Sequence, residues 1–407
     1  MGYSGRMPWK ATCVIDERTK MISEYLSGDY TVVELARRHG VSRKSAYKWI
    51  VRYRQQPQVG LADRSRAPHH HPNALSVELE ERILTWKAYR PHWGAPKIHS
   101  KLRDHPACPA ESTVSNVLQR HGLSRRQRRR TRATPSAQPF SPAGAPNDVW
   151  CVDFKGWFRL GNGHRCDPLT ISDAASRYLL CCQGISGTTG WVSVQPLFER
   201  VFREYGLPQR IRSDNGAPFA SLGLGGLSPL SVWWLRLGIG LERIRPGHPE
   251  QNGRHERMHR TLKETITIES TLGRQQRVLD TFRRDYNEER PHEALGQQPP
   301  ASVYVPSARD YPSRLLEVTY PEDWFVRNVR RCGEIKWRGD RLYLGQSLIG
   351  QSIGLKPLAE GLWSIHFMAQ PLALLDERKS PLRIRPLPTQ QPSNVTHVLG
   401  RNCYLCP

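Results

Sequence analysis

The sequence predicts a multidomain chain: two α-helical helix-turn-helix units, an α/β core with a mixed five-stranded sheet, and a small C-terminal β-barrel. Three observations carry that expectation. Apolar residues recur at helical spacing in two stretches before residue 124, each interrupted by short turns. From residue 148 the pattern changes to three alternating stretches and then to helix and strand in turn, the grammar of a sheet covered by helices. Beyond residue 311, short alternating segments are separated by glycines, as in a barrel of SH3-like size.

The first unit spans residues 10–56. A helix carrying Ile22, Tyr25 and Leu26 precedes TVVELARRHGVSRKSAYKWIVRY, in which Leu35 and Ala36 sit on a short helix, Gly40 turns the chain and Ser42 caps a third helix. That helix would offer Arg43, Lys44, Ser45 and Lys48 to a major groove, with Tyr47, Ile50 and Val51 packed inward. The second unit, residues 74–124, has Ile83, Leu84, Ile98, Leu102, Val114, Val117 and Leu118 as its expected core, leaving Thr113, Ser115, Asn116, Gln119 and Arg120 outside. A basic linker at 125–147 follows, and Arg125, Arg126, Arg128, Arg129 and Arg130 in it suit phosphate or a minor groove. The core covers 148–310, the barrel 315–379, and a Pro-rich tail predicted to be disordered covers 380–407.

Charge narrows the class of partner. Sixty Lys and Arg against 37 Asp and Glu give +23, which favours a polyanion. No run reaches the roughly 18 apolar residues of a membrane span, and MGYSGRMPWK lacks the apolar core of a signal peptide, so a cytoplasmic chain without a membrane partner is expected. The nine scattered cysteines suit a reducing interior. Cys403 and Cys406 form a CxxC with no second ligand pair nearby, and the HHH at 69–71 lies among prolines; neither is read as a metal site.

Three acids occupy places where chemistry could use them. Asp153 lies within the strand WCVDFKGW, where an acid is costly unless it serves something. Asp214 ends the strand in LPQRIRSDNG, at the carboxyl edge of the sheet. Glu256 belongs to GHPEQNGRHERMHRTLKE, a helix whose buried stripe is Met258, Leu262 and Ile266, and whose outer side would carry Asn252, Glu256, His259, Arg260 and Lys263. A surface pair between Glu256 and Arg260 is the plainer reading; a carboxylate holding metal beside cations that hold a polyanion is the sharper one. Asp173 is read as a decoy.

The pieces WCVDFKGWF, SDAASRYLL, LPQRIRSDNGAPF, GHPEQNGRHERMHRTLKE and YNEERPHEALGQQPPASVY, in that order, resemble the integrase-core transposases of bacterial insertion sequences, relatives of retroviral integrases. The resemblance covers about residues 16–310 and implies a ribonuclease-H-like core whose acidic triad falls on Asp153, Asp214 and Glu256. Glu250 and Glu264 are the neighbouring alternatives, but Glu256 is in register before Arg-x-His-Arg. The 42 positions between Asp214 and Glu256 exceed the usual spacing, with ASLGLGGLSPLS inserted as an expected surface loop. The resemblance further implies two Mg²⁺ ions per site, with Mn²⁺ able to substitute, held by the three acids while Arg260 and Lys263 grip the DNA backbone. It also implies double-stranded element ends and target DNA as partners, at least a dimer on DNA, and a nucleoid-associated place in a bacterial cytoplasm. Asn287, Arg290, Pro291 and His292 are given a packing role. The competing readings are a sequence-specific DNA-binding regulator, an inactive relative of a transposase, and a nuclease that never joins strands.

Overall fold

The computed structural model describes residues 13–57, 59–64, 74–124, 140–244, 251, 253–315, 317–379 and 382–385. It divides into two compact units, Met1–Leu75 and Ser76–Pro407. The Arg125–Arg130 run, the HHH, Glu250, Asn252 and the terminal CxxC lie outside the described residues.

In the first unit, α1 (Val14–Ser27), α2 (Val32–Arg38) and α3 (Arg43–Gln55) enclose Met21, Ile22, Leu35, Ala36, Ala46, Trp49 and Ile50. Thr31 and Glu34 cap α2 reciprocally: the Thr31 N–H donates to the Glu34 carboxylate at 2.8 Å and the Glu34 N–H to Thr31 Oγ1 at 3.4 Å. Ser42 caps α3 by accepting from the Ser45 N–H at 3.1 Å. The inward stripe of α3 differs from the expected one. Ala46, Trp49, Ile50 and Tyr53 form it, whereas Tyr47 is 55% and Val51 48% exposed. Trp49 claims the inward volume, and one position of rotation, about 100°, carries Tyr47 and Val51 outward. Leu26 is also exposed.

The second unit begins with α4 (Val77–Tyr89), α5 (Ala95–Ser100) and α6 (Glu111–Arg120), which bury Leu79, Ile83, Trp93, Ile98, Leu102, Val114, Val117 and Leu118; Leu84 is only partly buried. This module is anchored on the segment from Asp285 to Pro291. Arg90 donates to Asp285 at 2.9 Å and to Glu289, and the Lys97 ammonium donates to the Pro291 carbonyl.

The core sheet contains β1 (Val149–Phe154), β2 (Phe158–Arg159), β3 (Arg165–Asp173), β4 (Leu179–Ile185), β5 (Arg210–Ser213) and β6 (Gly240–Arg243). β3 lies antiparallel between β1 and β4, and β5 and β6 continue from β1 in parallel. The five expected strands are present; the sixth, β2, arises because Gly156 at φ +89° breaks the first alternating stretch. On one face α7 (Trp191–Tyr205) and α8 (Pro229–Arg236) bring Phe198, Phe202 and Trp234 against Trp150, Val152, Leu169 and Ile171. On the other, α9 (Gly253–Thr265) and α10 (Leu272–Arg284) bring Met258, Leu262, Leu279 and Phe282 against Leu179 and Cys182.

β4 is an outer strand, and side chains occupy its free edge. Gln276 accepts from the Gly184 N–H at 2.9 Å and donates to the Cys182 carbonyl at 3.1 Å. Arg283 donates to the Leu180 carbonyl at 3.0 Å, and Asn287 clasps Leu179, N–H at 2.7 Å and carbonyl at 3.0 Å. These bonds remove an edge that would otherwise invite another strand, which gives Asn287 its packing role.

The C-terminal region forms an open antiparallel sheet in the order β13 (Arg383–Arg385), β12 (Gln370–Asp376), β11 (Leu362–Phe367), β10 (Ser352–Ala359), β7 (Phe325–Asn328). A separate hairpin, β8 (Glu334–Trp337) and β9 (Asp340–Tyr343), joins it by packing, with Trp337 5.1 Å from Trp363 between ring centroids. No closed barrel of hydrogen bonds is present among the described residues, because the hairpin offers side chains and not its backbone. β13 also takes Arg383–Arg385 out of the tail expected to be disordered. The insertion after Asp214 differs from the expected surface loop as well. Leu222 is exposed, but Leu227 is buried, Leu224 packs on the core, and a Cβ on Gly225 would lie 2.6 Å from Leu372 of β12. The insertion is the seat of the C-terminal sheet.

Candidate active site

Sheet topology brings Asp153 and Asp214 together. Trp150 pairs with Ile211 and Cys151 with Arg212 across parallel β1 and β5, so Asp153 and Asp214 are level two residues on, where β5 gives way to a turn. Asp214 is half-buried and accepts from the Gly216 N–H at 3.1 Å. A Cβ on Gly216 would stand 3.0 Å from the other Asp214 oxygen, so this position leaves the carboxylate its room. Glu256 lies in the first turn of α9 and is exposed. Glu256 makes no ion pair with Arg260 among the described residues.

The field at Asp153 registers both other acids. Burial pushes its carboxyl up to about 7; the charges of Asp214 and Glu256 push the same way, against a Phe154 N–H that favours the anion. Asp214 is also raised, by burial, with the Gly216 N–H opposing. A cluster of this kind is short of positive charge at its centre. Asp173 behaves differently: fully buried, it accepts from the Asn147 N–H at 2.8 Å and from the Ser176 N–H and hydroxyl at 2.7 and 2.6 Å, so it is a structural acid.

Behind the acids lies a polar network that periodicity and motif did not foretell. Thr170, the cross-strand partner of Asp153, donates to the Asp153 carbonyl at 3.0 Å. His255 Nε2 and His259 Nε2 each lie 2.7 Å from Thr170 Oγ1, and His255 Nδ1 lies 3.0 Å from Ser172 Oγ. Burial holds both imidazoles neutral, His255 far below its ordinary value with the His259 ring adding to it, and His259 at about 4 with Lys155 adding to it. Every group is satisfied if both Nε2–H groups donate to Thr170 and His255 Nδ1 accepts from Ser172. His259 therefore faces the sheet and not solvent. The signal was available: His255 precedes Met258 by three and Leu262 by seven, on the buried stripe, and His259 is one turn further. One ligand atom from each of Asp153, His255 and His259 lies within 4.8 Å of the others, but both His255 nitrogens are already engaged.

The remaining expected residues are dispersed. Arg260 and Lys263 are exposed on α9, and Lys263 lies close enough to Lys155 to lower it, after burial. Arg43, Lys44 and Lys48 are exposed on α3, while Ser45 is partly buried against its cap. On α6, Ser115, Asn116 and Arg120 are exposed and Thr113 is partly buried; Arg120 reaches Glu80 at 3.4 Å.

Known families match overlapping segments along the chain. Integrase core domain families match residues 143–249 and 237–300; a Helix-turn-helix domain family matches 17–69, a Homeodomain-like domain family 45–118, and the IS481 family transposase C-terminal domain 325–381. The Insertion element IS407 uncharacterized 31.7 kDa protein of Burkholderia multivorans is 27% identical over 267 residues, 63% of this chain and 92% of that one. The Insertion element IS476 uncharacterized 39.2 kDa protein of Xanthomonas euvesicatoria is 26% identical over 312 residues, 70% of this chain and 88% of that one. Among solved structures, a chain of the simian T-cell lymphotropic virus intasome in complex with PP2A regulatory subunit B56 gamma aligns over 75% of this chain and 96% of its own, at 16% identity and a TM-score of 0.35. The chain has the domain make-up of insertion-sequence transposases, helix-turn-helix domains followed by an integrase core, and is similar to insertion-element proteins.

Proposed function

We propose that this protein is a transposase that binds the ends of a mobile element and catalyses metal-dependent strand cleavage followed by strand transfer. The observation that carries the reading is the register of β1 and β5, which sets Asp153 and Asp214 level on adjacent parallel strands, with Glu256 in the first turn of α9 near enough for its charge to act on Asp153. Asp153 and Asp214 stand side by side at the ends of adjacent parallel strands and Glu256 lies in the first turn of α9, a donor set of carboxylate oxygens suited to hard divalent cations. These three residues would hold two Mg²⁺ or Mn²⁺ ions, which when bound supply activation of the attacking oxygen and stabilisation of the leaving one. Arg260 and Lys263, exposed further along the same helix, bind the backbone of the strand being cut. No helix among the described residues is long and apolar enough to cross a membrane.

Joining two ends needs two such sites, so the working unit is at least a dimer on DNA. Purified protein incubated with Mg²⁺ and labelled element ends tests the reading. Hydrolysed and joined products are expected; hydrolysis alone would indicate a nuclease, and binding alone a regulator. Metal also has a readout without DNA: Mg²⁺ or Mn²⁺ should raise the melting temperature of the wild type and leave Asp153→Asn unmoved.

End recognition is assigned to the exposed face of α3, with Arg43, Lys44 and Lys48, and to Ser115, Asn116 and Arg120 of α6. Lys48→Ala should weaken binding to all sequences and reduce the slope of log affinity against log salt by about one, the signature of a lost phosphate contact. Arg43→Ala should instead narrow the gap between end and unrelated DNA. An unchanged salt slope for Lys48→Ala and an unchanged gap for Arg43→Ala would remove α3 from the interface.

A further inference from the structure

The strand that carries Asp153 is interrupted at Lys155-Gly156-Trp157 and then pairs with β3 again as β2. Phe154 pairs with Leu169 and Phe158 with Cys166 of the same antiparallel β3, so one extra residue bulges out of the pairing at Gly156, φ +89°, and Trp157 stands exposed there. Trp157 is 55% exposed, and among the described tryptophans it alone is exposed. Single exposed apolar residues are common, but the surroundings of this one are not those of a stray ring. The guanidinium carbons of Arg159 and Arg165 lie 5.8 and 5.2 Å from its centroid. Arg165 is fixed there by bonds of 2.6 and 2.7 Å to the buried carboxylate of Asp167, and Arg159 donates to the Gly163 carbonyl at 3.1 Å. Toward the acids, Lys155 lies beside His259 and Lys263. Two guanidinium groups thus flank the exposed indole, two residues after Lys155, which feels the charge of Lys263 on α9.

We propose that Trp157 is a stacking platform for a nucleobase unpaired at the DNA end, with Arg159 and Arg165 taking the phosphates on either side. The proposal rests on the transposase reading and specifies how that site receives its strand. Half-buried Asp153 and Asp214 at a sheet edge accept one strand more readily than a duplex, so the terminal pairs must open. Opening costs stacking, and an aromatic face returns it whatever the base, with guanidinium groups adding to the attraction. An acidic peptide would use the arginines but not the indole face, and an apolar partner would not tolerate the arginines.

The test uses the full chain as wild type, Trp157→Ala and Trp157→Phe, with element ends that are either fully paired or mismatched over the terminal pairs. Trp157→Ala should cut paired ends roughly tenfold or more slowly, within the range of a lost base stack. It should recover to near wild type on mismatched ends, where no opening is needed. Trp157→Phe should retain most activity on both, and all three should shift labelled ends equally. Equal impairment of Trp157→Ala on both kinds of end would make the ring merely structural, and no impairment would dispense with it. A metal-free readout separates this from the transposase reading: 2-aminopurine at the terminal position should be quenched by the wild type and by Trp157→Phe but not by Trp157→Ala. Quenching without cleavage by the wild type would keep the platform and reject the transposase; cleavage with equal quenching by all three would do the reverse.

Discussion

Asp153→Asn should abolish strand cleavage while making the metal-free protein more stable at pH 8. The first effect arises from removing a carboxylate between Asp214 and Glu256. Loss of one preorganised group that manages developing charge costs on the order of a hundredfold or more, and a metal ligand is expected to cost at least that. Asp214→Asn and Glu256→Gln should be equally inactive, with end binding intact in all three because α3 and α6 are untouched. Activity surviving Glu256→Gln but lost on Glu250→Gln would move the third acid. The second effect arises from the folded environment of Asp153, which raises its carboxyl from an ordinary 3.8 to about 7. A carboxyl whose folded value is raised penalises the fold wherever it must be ionised. The penalty is therefore full above about pH 7, shrinks as pH falls through that value, and is gone below the ordinary value. Its upper bound is about 4 kcal/mol. Denaturant titrations in EDTA should show Asp153→Asn gaining most at pH 8 and little at pH 4. A variant no more stable than wild type at pH 8 would mean that neither burial nor the neighbouring acids penalise an ionised Asp153.

Much of this site was legible because each acid announced itself by an inconsistency with its element. An Asp interrupts a buried strand, an Asp stands where a strand enters a turn, and a Glu leads a basic helix. Such conflicts between local pattern and residue type are where function is expected. The histidines carried the same kind of signal, a polar residue on the apolar stripe of α9, but their partner Thr170 lies 85 and 89 positions away and nothing local points to it. The stripe of α3 was misplaced by one position, since periodicity gives a face only to within a residue when apolar and aromatic side chains crowd both sides. The insertion after Asp214 looked like a surface loop because glycine and serine report conformational freedom, not what packs on top; its contact with Leu372 is long-range. Alternation likewise announced the C-terminal strands, whereas barrel closure depends on pairing between edges. Arg90 gave no warning that it ties the second helical module to Asp285 and Glu289.

Thr170→Val should lower both stability and cleavage, and Thr170→Ser should restore both. Thr170 is fully buried at the crossing of β3 and α9, with its one hydroxyl donating to the Asp153 carbonyl and lying 2.7 Å from an Nε2 of each of two imidazoles, which donate to it in the arrangement that satisfies every group. Valine keeps the branched shape that a strand favours, so the change removes the hydroxyl with little else. Two buried ring N–H groups would then lack an acceptor, at about 1–3 kcal/mol each before relaxation, which points to a loss on the order of 2–4 kcal/mol. The catalytic consequence is separate. His255 and His259 flank Glu256 on α9, and through Thr170 they tie that helix to the strand bearing Asp153. Without the Thr170 tie, α9 keeps its apolar contacts through Met258 and Leu262 and the bonds of His255 to Ser172 and of Arg254 to the Ala174 carbonyl, but loses its fixed point beside Asp153. Displacement of about 1 Å in a reacting geometry can cost a hundredfold, so a loss of tenfold or more in the cleavage rate is expected even where the variant is fully folded. Rates measured well below the melting temperature of each variant separate the two effects. If Thr170→Val is destabilised yet cuts at the wild-type rate, the network stabilises the core without positioning Glu256; if valine and serine behave alike, the hydroxyl does neither.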